Sequence, residues 1–352
     1  MPTDLKPSLF PNSFVFGNIY GKEVTLFNLK NKSGVQLSII NYGAAITQLL
    51  VPDRNGILAD IVLGFDDLDG YLQKGNRFFG AVVGRYANRI AQGRVSIHGT
   101  AYQLSKNRGE HSIHGGYVGF DKVIWKILET NGTDFLKLSY ESRDGEEGFP
   151  GNLNVTVSYS LSADNALKIE YAATTDKPTI INLTNHSYFN LYTSGQLSIL
   201  DHELMINAGF YTEVNEDLIP TGKILDVKGG PLDFNSPKVI GRDIALLPTD
   251  YDHNIILNNV SGAFTKAAEL YHAPSGRCME VFTNQPGMQF YSGNFLDGSL
   301  KGKSGKAYGK YSGLCLETQH YPDSPNHQNF PSTTLLPGQT YSHITSYNFS
   351  VR

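Results

Sequence analysis

The chain has 352 residues, of which 40% are hydrophobic and 18% are charged, and its net charge at pH 7 is −4. This is the composition of an ordinary globular chain that can bury a large core. The slightly acidic balance argues against nucleic acid or an anionic membrane surface as a partner, because both attract basic patches.

The N-terminus and the cysteines favour a cytosolic protein. Residues 1–17 contain Asp4 and three prolines, and they lack the basic start and apolar run of a signal peptide. No later apolar run approaches the length that crosses a bilayer. The two cysteines, Cys278 and Cys315, cannot build a disulfide framework.

Hairpin signals follow in the first half of the chain. Val123–Glu129 and Phe135–Tyr140 flank an Asn-Gly pair, which supplies the positive φ angles of a tight hairpin turn. Val155–Leu161 and Leu167–Ala172 flank a second short polar connection. We predict two antiparallel hairpins here.

Helical periodicity is scarce, and short helical turns are expected only at Asp66–Leu72 and Arg242–Leu247. Closely spaced strands joined by Gly, Pro, Asn and Asp are typical of a sandwich or barrel. No Pro/Ser tract, charge block or fixed-period repeat divides the chain. We therefore expect one antiparallel β unit that spans residues 1–352.

The stretch 179–191, TIINLTNHSYFNL, is rich in β-branched and aromatic residues and reads as a strand. Successive side chains of a strand point to opposite faces. One face would then be mainly apolar and able to pack into a core. The other face would be a row of hydrogen-bonding side chains, namely Asn182, Thr184, His186, Tyr188 and Asn190.

Two motifs with possible chemistry are weak. Gly302-Lys303-Ser304 resembles the end of a phosphate-binding loop, but the position that needs the first glycine is Asp297 and no helix pattern follows. His111 and His114 lie in a glycine-rich stretch, where a helix that would place both on one face is not expected. Loop histidines of this kind are more often hydrogen-bonding groups than metal ligands.

A carboxylate in an apolar strand is more informative. In GLCLETQH the strand period places Glu317 on one face with Cys315 and Gln319. A carboxylate among apolar residues is costly to bury unless it is paired, and such groups often carry a function. The residues alone leave open whether Glu317 is functional or a solvated residue of an edge strand, and Cys315 reads as a small buried residue.

Taken together, ordered segments resemble the aldose 1-epimerases, the galactose mutarotases. The segments are GRYANRIAQGR from Gly84, SIHGGYVGFDKVIW from Ser112, NLTNHSYFNL from Asn182, YDHN from Tyr251, and NQPGMQFYSGNFLDG through LCLETQHYPDSPN from Asn284 to Asn326. The earlier NYGAAITQLLVPDRNG and RDGEEGFPG segments also fit, so the resemblance spans nearly the whole chain. Each motif is moderately specific, and the ordered set is highly specific.

The resemblance implies a single large antiparallel β-sandwich, a supersandwich, with a sugar-binding cleft. It implies that α and β anomers of free aldohexoses are interconverted, chiefly D-galactose and also D-glucose, without a metal or other cofactor. His186 matches the family's general acid and Glu317 its general base. The positions that match sugar-contacting residues are Asn88, Arg89, His114, Asp252 and Gln285.

The chemistry explains why an acid and a base are needed. The sugar ring opens when the C1 hydroxyl loses its proton and the ring oxygen gains one, and it closes again on the other face of the aldehyde. General acid–base groups each contribute about 10²–10⁴-fold to such steps. A nearby carboxylate of Glu317 is expected to favour protonated His186, since an opposite charge stabilises the charged form.

Three other functions remain open at this point. Asp252 and Glu317 could act as the paired carboxylates of a glycosidase. The same scaffold could serve a sugar-phosphate epimerase such as one for glucose 6-phosphate, which needs a cationic cluster beside C6. A non-catalytic sugar-binding protein is a third alternative, although binding alone needs no matched acid and base. The sequence carries no signal for an oligomeric state.

Overall fold

Strands dominate the computed structural model, which describes residue 6 and residues 8–10, 12–192, 197–259 and 262–352. The strands in chain order are β1 Ser13–Ile19, β2 Lys22–Lys30, β3 Gln36–Ile40, β4 Ala45–Pro52, β5 Leu58–Asp60, β6 Val82–Val83, β7 Arg89–Ile90, β8 Arg94–Ile97, β9 Thr100–Gln103, β10 Ser112–Ile113, β11 Lys126–Thr130, β12 Phe135–Ser142, β13 Leu153–Leu161, β14 Ala166–Thr175, β15 Thr179–Ile180, β16 Thr184–Asn185, β17 Glu203–Ile206, β18 Ala208–Val214, β19 Pro220–Asp226, β20 Lys238–Val239, β21 Asp252–Leu257, β22 Thr265–His272, β23 Arg277–Thr283, β24 Gly287–Tyr291, β25 Cys315–Gln319, β26 Thr334–Leu335 and β27 Tyr341–Val351.

Helical structure in the described residues is limited to short turns. One α-helix, α1, spans Leu68–Leu72, and the side chain of Asp67 caps it by accepting from the backbone N–H of Gly70 at 2.9 Å. The 3-10 turns are Ala91–Gly93, Phe120–Lys122, Glu146–Gly148, Ile240–Arg242, Ile244–Leu246, Lys303–Gly305 and Ser324–Asn326. The helical turns expected near residues 66–72 and 242–247 are therefore present. No helix in the described part of the chain has both the length and the apolar character to cross a membrane.

Three antiparallel sheets organise the molecule. The largest has nine strands in the order β11-β12-β13-β14-β27-β23-β22-β17-β20. Two five-stranded sheets have the orders β1-β2-β3-β4-β5 and β19-β18-β21-β24-β25. The expected all-β antiparallel sandwich architecture is confirmed.

A continuous apolar core joins the three sheets. In β13 every second residue is buried, from Leu153 to Leu161, as a strand with one core-facing side requires. The main hydrophobic cluster combines β13 with residues such as Leu37 of the first sheet and Phe290 of the third. Full burial of a side chain of this size contributes about 1.5–3 kcal/mol, so the sheets are held together chiefly by apolar burial.

Both predicted hairpins form, and several strand ends shift by one to three residues. β11 pairs with β12 and β13 pairs with β14, all antiparallel. Gly132 has a φ of +72°, as the Asn-Gly turn demands. The first hairpin strand begins at Lys126 rather than at Val123, because Val123 and Trp125 form backbone hydrogen bonds to Gly43 and Asn41 instead.

The stretch 179–191 is extended but is not one continuous strand. Its backbone pairs in turn with segments distant in sequence, including β26, β6 and Leu314. Every residue from 179 to 191 is buried. The polar row predicted for this stretch therefore lies inside the molecule, where each of its members needs a specific partner.

Candidate active site

Two rows of side chains cross the sheet that ends at β25. Residues directly opposite each other in an antiparallel pair share one face. The register places Asp252, Tyr291 and Cys315 in one row. It places Asn254, Gln289 and Glu317 in the next row. All six side chains are buried, so this face presents an unusually polar surface to the interior.

The stretch 184–188 lies over the end of these rows and brings His186 against Glu317. The Nε2 atom of His186 is 3.7 Å from Oε1 of Glu317, and the two side chains are 6% and 2% exposed. The other ring nitrogen, Nδ1, lies 3.4 Å from the sulfur of Cys315. Glu317 is therefore not the solvated edge residue that the sequence left as an alternative.

The loop after β6 contributes Asn88, β7 begins with Arg89, and both lie near His114 from a second loop. Asn88 and His114 both have positive φ angles, 66° and 52°, a conformation that is uncommon outside glycine and often found at functional sites. The backbone N–H of Asn88 donates to Nδ1 of His114 at 3.2 Å. Because Nδ1 of His114 accepts this hydrogen bond, the neutral ring carries its proton on Nε2.

Burial keeps His114 uncharged. Burial is the largest cause that lowers the pKa of His114 well below its usual value, and neighbouring His186 and Arg89 lower it further. His114 is therefore a neutral hydrogen-bond donor through Nε2. A donor of this kind suits a sugar hydroxyl oxygen.

Asp252 is held by two partners. The side-chain amide of Gln289 donates to its Oδ1 atom at 2.7 Å. The Nη2 atom of Arg89 lies 3.7 Å from its Oδ2 atom. The carboxylate is thus oriented while retaining lone pairs that can accept from hydroxyl groups.

These residues line one cleft of about 310 Å³, which lies near the lower end of the range of about 300–1,000 Å³ for small-molecule sites. Oε2 of Glu317 and Oε1 of Gln289 are buried and have no hydrogen-bond partner among the residues that the structure describes. An unpaired buried polar atom costs about 1–3 kcal/mol. A polyhydroxylated ligand in the cleft would satisfy both atoms.

Aromatic rings form the apolar walls of the cleft, and no sequence pattern had separated Phe78 and Tyr291 from core aromatics. The ring centroid of Phe78 lies 4.6 Å from that of His114 and 5.6 Å from that of His186. Tyr188 and Tyr291 lie at 5.1 and 6.2 Å from His186 on other sides. Aromatic rings therefore surround much of the imidazole of His186.

Burial shifts the pKa of His186 and the pKa of Glu317 in the directions that favour the neutral form of each group. Burial is the largest cause that lowers the pKa of His186 to about 4, and the nearby Asp252 only partly opposes it. Burial also raises the pKa of Glu317 well above its usual value, Asp252 adds to this, and Arg89 opposes it. Burial therefore opposes the protonated form of His186 that a nearby carboxylate of Glu317 was expected to favour.

Opposite shifts of this kind allow the pair to hold one exchangeable proton. Protonated Glu317 beside neutral His186 contains the same number of protons as the carboxylate beside the imidazolium. The two arrangements differ only by transfer of one proton between the partners, so they titrate together as a pair. A pair that holds one proton contains one acid and one base.

The predicted acid–base pair and the five predicted sugar-contacting residues can be compared with the residues that line this cleft. His186, Glu317, Asn88, Arg89, His114 and Asp252 all line it. Gln285 does not, since its side chain is buried elsewhere with Oε1 2.8 Å from Nδ1 of His320. Pro286 cannot donate to a strand ladder, so β24 begins after it and the glutamine opposite Glu317 is Gln289.

One set of side chains in the cleft has the composition of a metal site. The ligating atoms of His114, His186 and Glu317 lie within 4.8 Å of one another. Nε2 of neutral His114 carries a proton, because Nδ1 accepts from Asn88, and a protonated nitrogen has no lone pair for a metal. The trio therefore fits a hydrogen-bonding site better than a metal site. Outside the cleft, Asp201, His202 and His272 form a similar trio.

The trio of Asp201, His202 and His272 is also a hydrogen-bonded cluster. Nε2 of His202 accepts from the backbone N–H of Leu191 at 3.1 Å. Nδ1 of the neutral ring then carries the proton, and it lies 3.0 Å from Oδ1 of Asp201. Both nitrogens of His202 are occupied by these bonds.

Comparisons with known proteins agree with this geometry. A family model described as aldose 1-epimerase matches residues 25–348. The galactose mutarotase of Mus musculus is 49% identical over 346 residues, which cover 96% of this chain and 98% of the mouse protein. The aldose 1-epimerase of Escherichia coli (strain K12) is 38% identical and covers 94% of this chain and 96% of its own.

Solved structures agree as well. The aldose epimerase homologue from C. elegans superposes with a TM-score of 0.87 at 31% identity, over 93% of this chain and 99% of that chain. The galactose 1-epimerase from Lactobacillus acidophilus NCFM gives a TM-score of 0.84 at 28% identity, over 98% of this chain and 99% of that chain. The chain, with its β architecture and its enclosed histidine–glutamate pair, belongs to the aldose 1-epimerase family.

Proposed function

We propose that this protein is an aldose 1-epimerase that interconverts the anomers of free aldohexoses, chiefly D-galactose and also D-glucose. The observation that carries the proposal is the buried His186–Glu317 pair, with 3.7 Å between Nε2 and Oε1, in a cleft lined by hydrogen-bonding groups. Family membership supports the same activity.

Ring opening uses the pair as base and acid. Glu317 takes the proton from the hydroxyl on C1, and the electron pair of that O–H bond forms the carbonyl as the bond from C1 to the ring oxygen breaks. His186 delivers its Nε2 proton to the ring oxygen. Rotation about the C1–C2 bond presents the other face of the aldehyde, the ring closes, and both protons return.

The remaining cleft residues hold the sugar between the two groups. Arg89 and Nε2 of His114 donate to hydroxyl oxygens, whereas Asp252 accepts from hydroxyl groups. Asn88 and Gln289 add amide contacts. Orientation of this kind reduces the entropy that the reacting groups lose on the way to the transition state.

The chemistry requires neither a metal nor a redox cofactor, since both steps are proton transfers. Two buried, unpaired cysteines are consistent with a cytosolic location. We propose a small-molecule sugar as the partner, in keeping with a net charge of −4 that does not favour nucleic acid.

A second candidate has one specific observation in its favour. Arg77, Arg108 and Lys122 also line the cleft, and such cations would suit a phosphate on C6. A sugar-phosphate epimerase would turn over glucose 6-phosphate with a higher kcat/KM than free galactose. The free-sugar proposal expects the reverse order.

Polarimetry tests the proposal directly. Freshly dissolved α-D-galactose changes its rotation spontaneously, and the protein should accelerate that change in proportion to its concentration. Dialysis against EDTA should leave the rate unchanged. Activity that disappears on dialysis and returns only with a divalent ion would contradict the metal-free mechanism, and release of sugar from a glycoside would support the glycosidase alternative.

A further inference from the structure

The thiol of Cys315 lies beside the acid–base pair, yet ring opening does not use it. Cys315 precedes Glu317 by two residues on β25, so both side chains point to the same face. Cys315 is fully buried, and its sulfur lies 3.4 Å from Nδ1 of His186. Glu317 contacts the same imidazole at its other nitrogen, Nε2.

The positions of the hydrogens on the imidazole during the reaction give this contact a role. The protonated ring carries hydrogen on both nitrogens. After Nε2 has given its proton to the sugar, the neutral ring must keep hydrogen on Nδ1, because Nε2 has to take a proton back when the ring closes. A buried N–H without an acceptor is costly. In the described part of the chain, the hydrogen-bonding partner of Nδ1 is the sulfur of Cys315.

A neutral acceptor suits an acid that must release its proton. Burial raises the pKa of the Cys315 thiol well above its usual value, and Glu317 and Asp252 raise it further, so the sulfur stays uncharged. A carboxylate in this place would stabilise the imidazolium and make His186 a weaker acid. A thiol accepts the N–H weakly and adds no charge.

We propose that Cys315 is a positioning residue whose sulfur accepts the Nδ1–H of His186 and thereby reserves Nε2 for proton exchange with the sugar. The inference rests on the proposed function, because it requires His186 to exchange the proton. The thiol itself forms and breaks no covalent bond in this scheme.

The chain offers matched variants for the test. Cys315→Ala removes the acceptor, whereas Cys315→Ser keeps a group that can accept the N–H. Cys278 is the control, since it is also buried but lies on β23 opposite Tyr271 and Ser350, outside the cleft. Mutarotation of D-galactose by each variant would be followed by polarimetry for kcat and KM.

Cys315→Ala should lower kcat about threefold to tenfold with KM within about twofold of wild type, the loss expected for one hydrogen bond. Cys315→Ser should restore most of kcat, and Cys278→Ala should match wild type. Nitrogen-15 NMR of wild-type His186 should show Nδ1 protonated throughout the active pH range, in either proton arrangement of the pair. In Cys315→Ala, a fraction of the neutral ring should carry its proton on Nε2 instead.

Either of two results would overturn the inference. One is a bare Nδ1 in wild-type His186 at the pH of maximal activity, which needs no variant to measure. The other is equal loss of kcat in the Ala and Ser variants together with a lowered Tm, which would mean that the thiol only fills space. Full activity of His186→Asn would instead remove the proposed proton donor, so the two failures are distinguishable.

Discussion

Burial determines how His186 and Glu317 behave as individual residues. Each side chain is buried, which favours its neutral form, so the pKa of the histidine falls and that of the glutamate rises. The two shifts run in opposite directions, and each favours the neutral form of its group. Residues whose environments shift their pKa values in this way are typical of acid–base sites.

The raised pKa of Glu317 should make the wild-type protein less stable than it could be near neutral pH. The unfolded chain loses the Glu317 proton near its usual pKa of 4.5, whereas the folded chain retains it to higher pH. The stability that the raised pKa of Glu317 provides is therefore complete below about pH 4.5, and it is lost as the pH rises toward the folded pKa. Each unit of upward shift corresponds to about 1.4 kcal/mol.

Glu317→Gln should remove that loss while keeping the shape of the side chain. We expect the variant to have a higher free energy of unfolding than wild type at pH 7, and a difference near zero at pH 4. Urea denaturation at the two pH values measures this. A variant that is less stable than wild type at pH 7 would show that Glu317 is favourably charged in the folded state.

The family resemblance implied His186 and Glu317 as acid and base and Gln285 as a sugar contact, and the structure places the first two in the cleft and Gln285 outside its lining. Glu317 is a carboxylate in an apolar strand, and His186 stands in a polar row of an otherwise apolar stretch, so both are unusual by residue type. Gln285 and Gln289 are chemically equivalent and lie four residues apart. Only the strand register, which places Gln289 opposite Glu317, shows which of them faces the cleft.

At the scale of elements, the register of β24 and β25 aligns the site. Gln289 opposes Glu317, and Tyr291 opposes Cys315, so a shift of one residue would turn the polar groups away from the cleft. The stretch 179–191 then closes the site from outside this sheet. Its irregular pairing could not be predicted, because its partners come from segments far away in the sequence.

A pair of variants tests the register. Gln289→Ala should raise KM for D-galactose about threefold to tenfold, because a hydrogen bond to Asp252 is lost and the carboxylate is less well oriented. Gln285→Ala is the matched control and should leave KM within about twofold of wild type. It should lower Tm, since it breaks the contact with His320. The opposite ranking of the two KM values would place Gln285 in the sugar site.

At the scale of the whole molecule, we propose that residues 1–352 fold as one unit. The main apolar cluster contains residues from Phe27 to Phe349 and draws on all three large sheets. The sequence predicted the strands and hairpins from local patterns. The arrangement of the sheets depends on contacts between distant segments, which no local pattern encodes.

A single cooperative transition should therefore be seen on unfolding. Circular dichroism, which reports strand content, and fluorescence of Trp125, which is fully buried, should give the same urea midpoint. Limited proteolysis that yields two independently stable fragments would contradict the single unit.

The central claim is that His186 and Glu317 act together as acid and base. The most direct measurement is the pH dependence of kcat/KM for α-D-galactose, by polarimetry, for wild type, His186→Asn, Glu317→Gln and the double variant. Wild type should give a bell-shaped profile, because the pair is active when it holds one proton and inactive when it holds none or two.

Each single variant should lose about 10²–10⁴-fold in activity, and the double variant should lose much less than the product of the two, since the residues act as a unit. In the pH profile of His186→Asn, the alkaline limb, which reports loss of the proton from the pair, should be absent or shifted. Wild-type turnover by either folded single variant, or losses that multiply fully in the double variant, would contradict the claim.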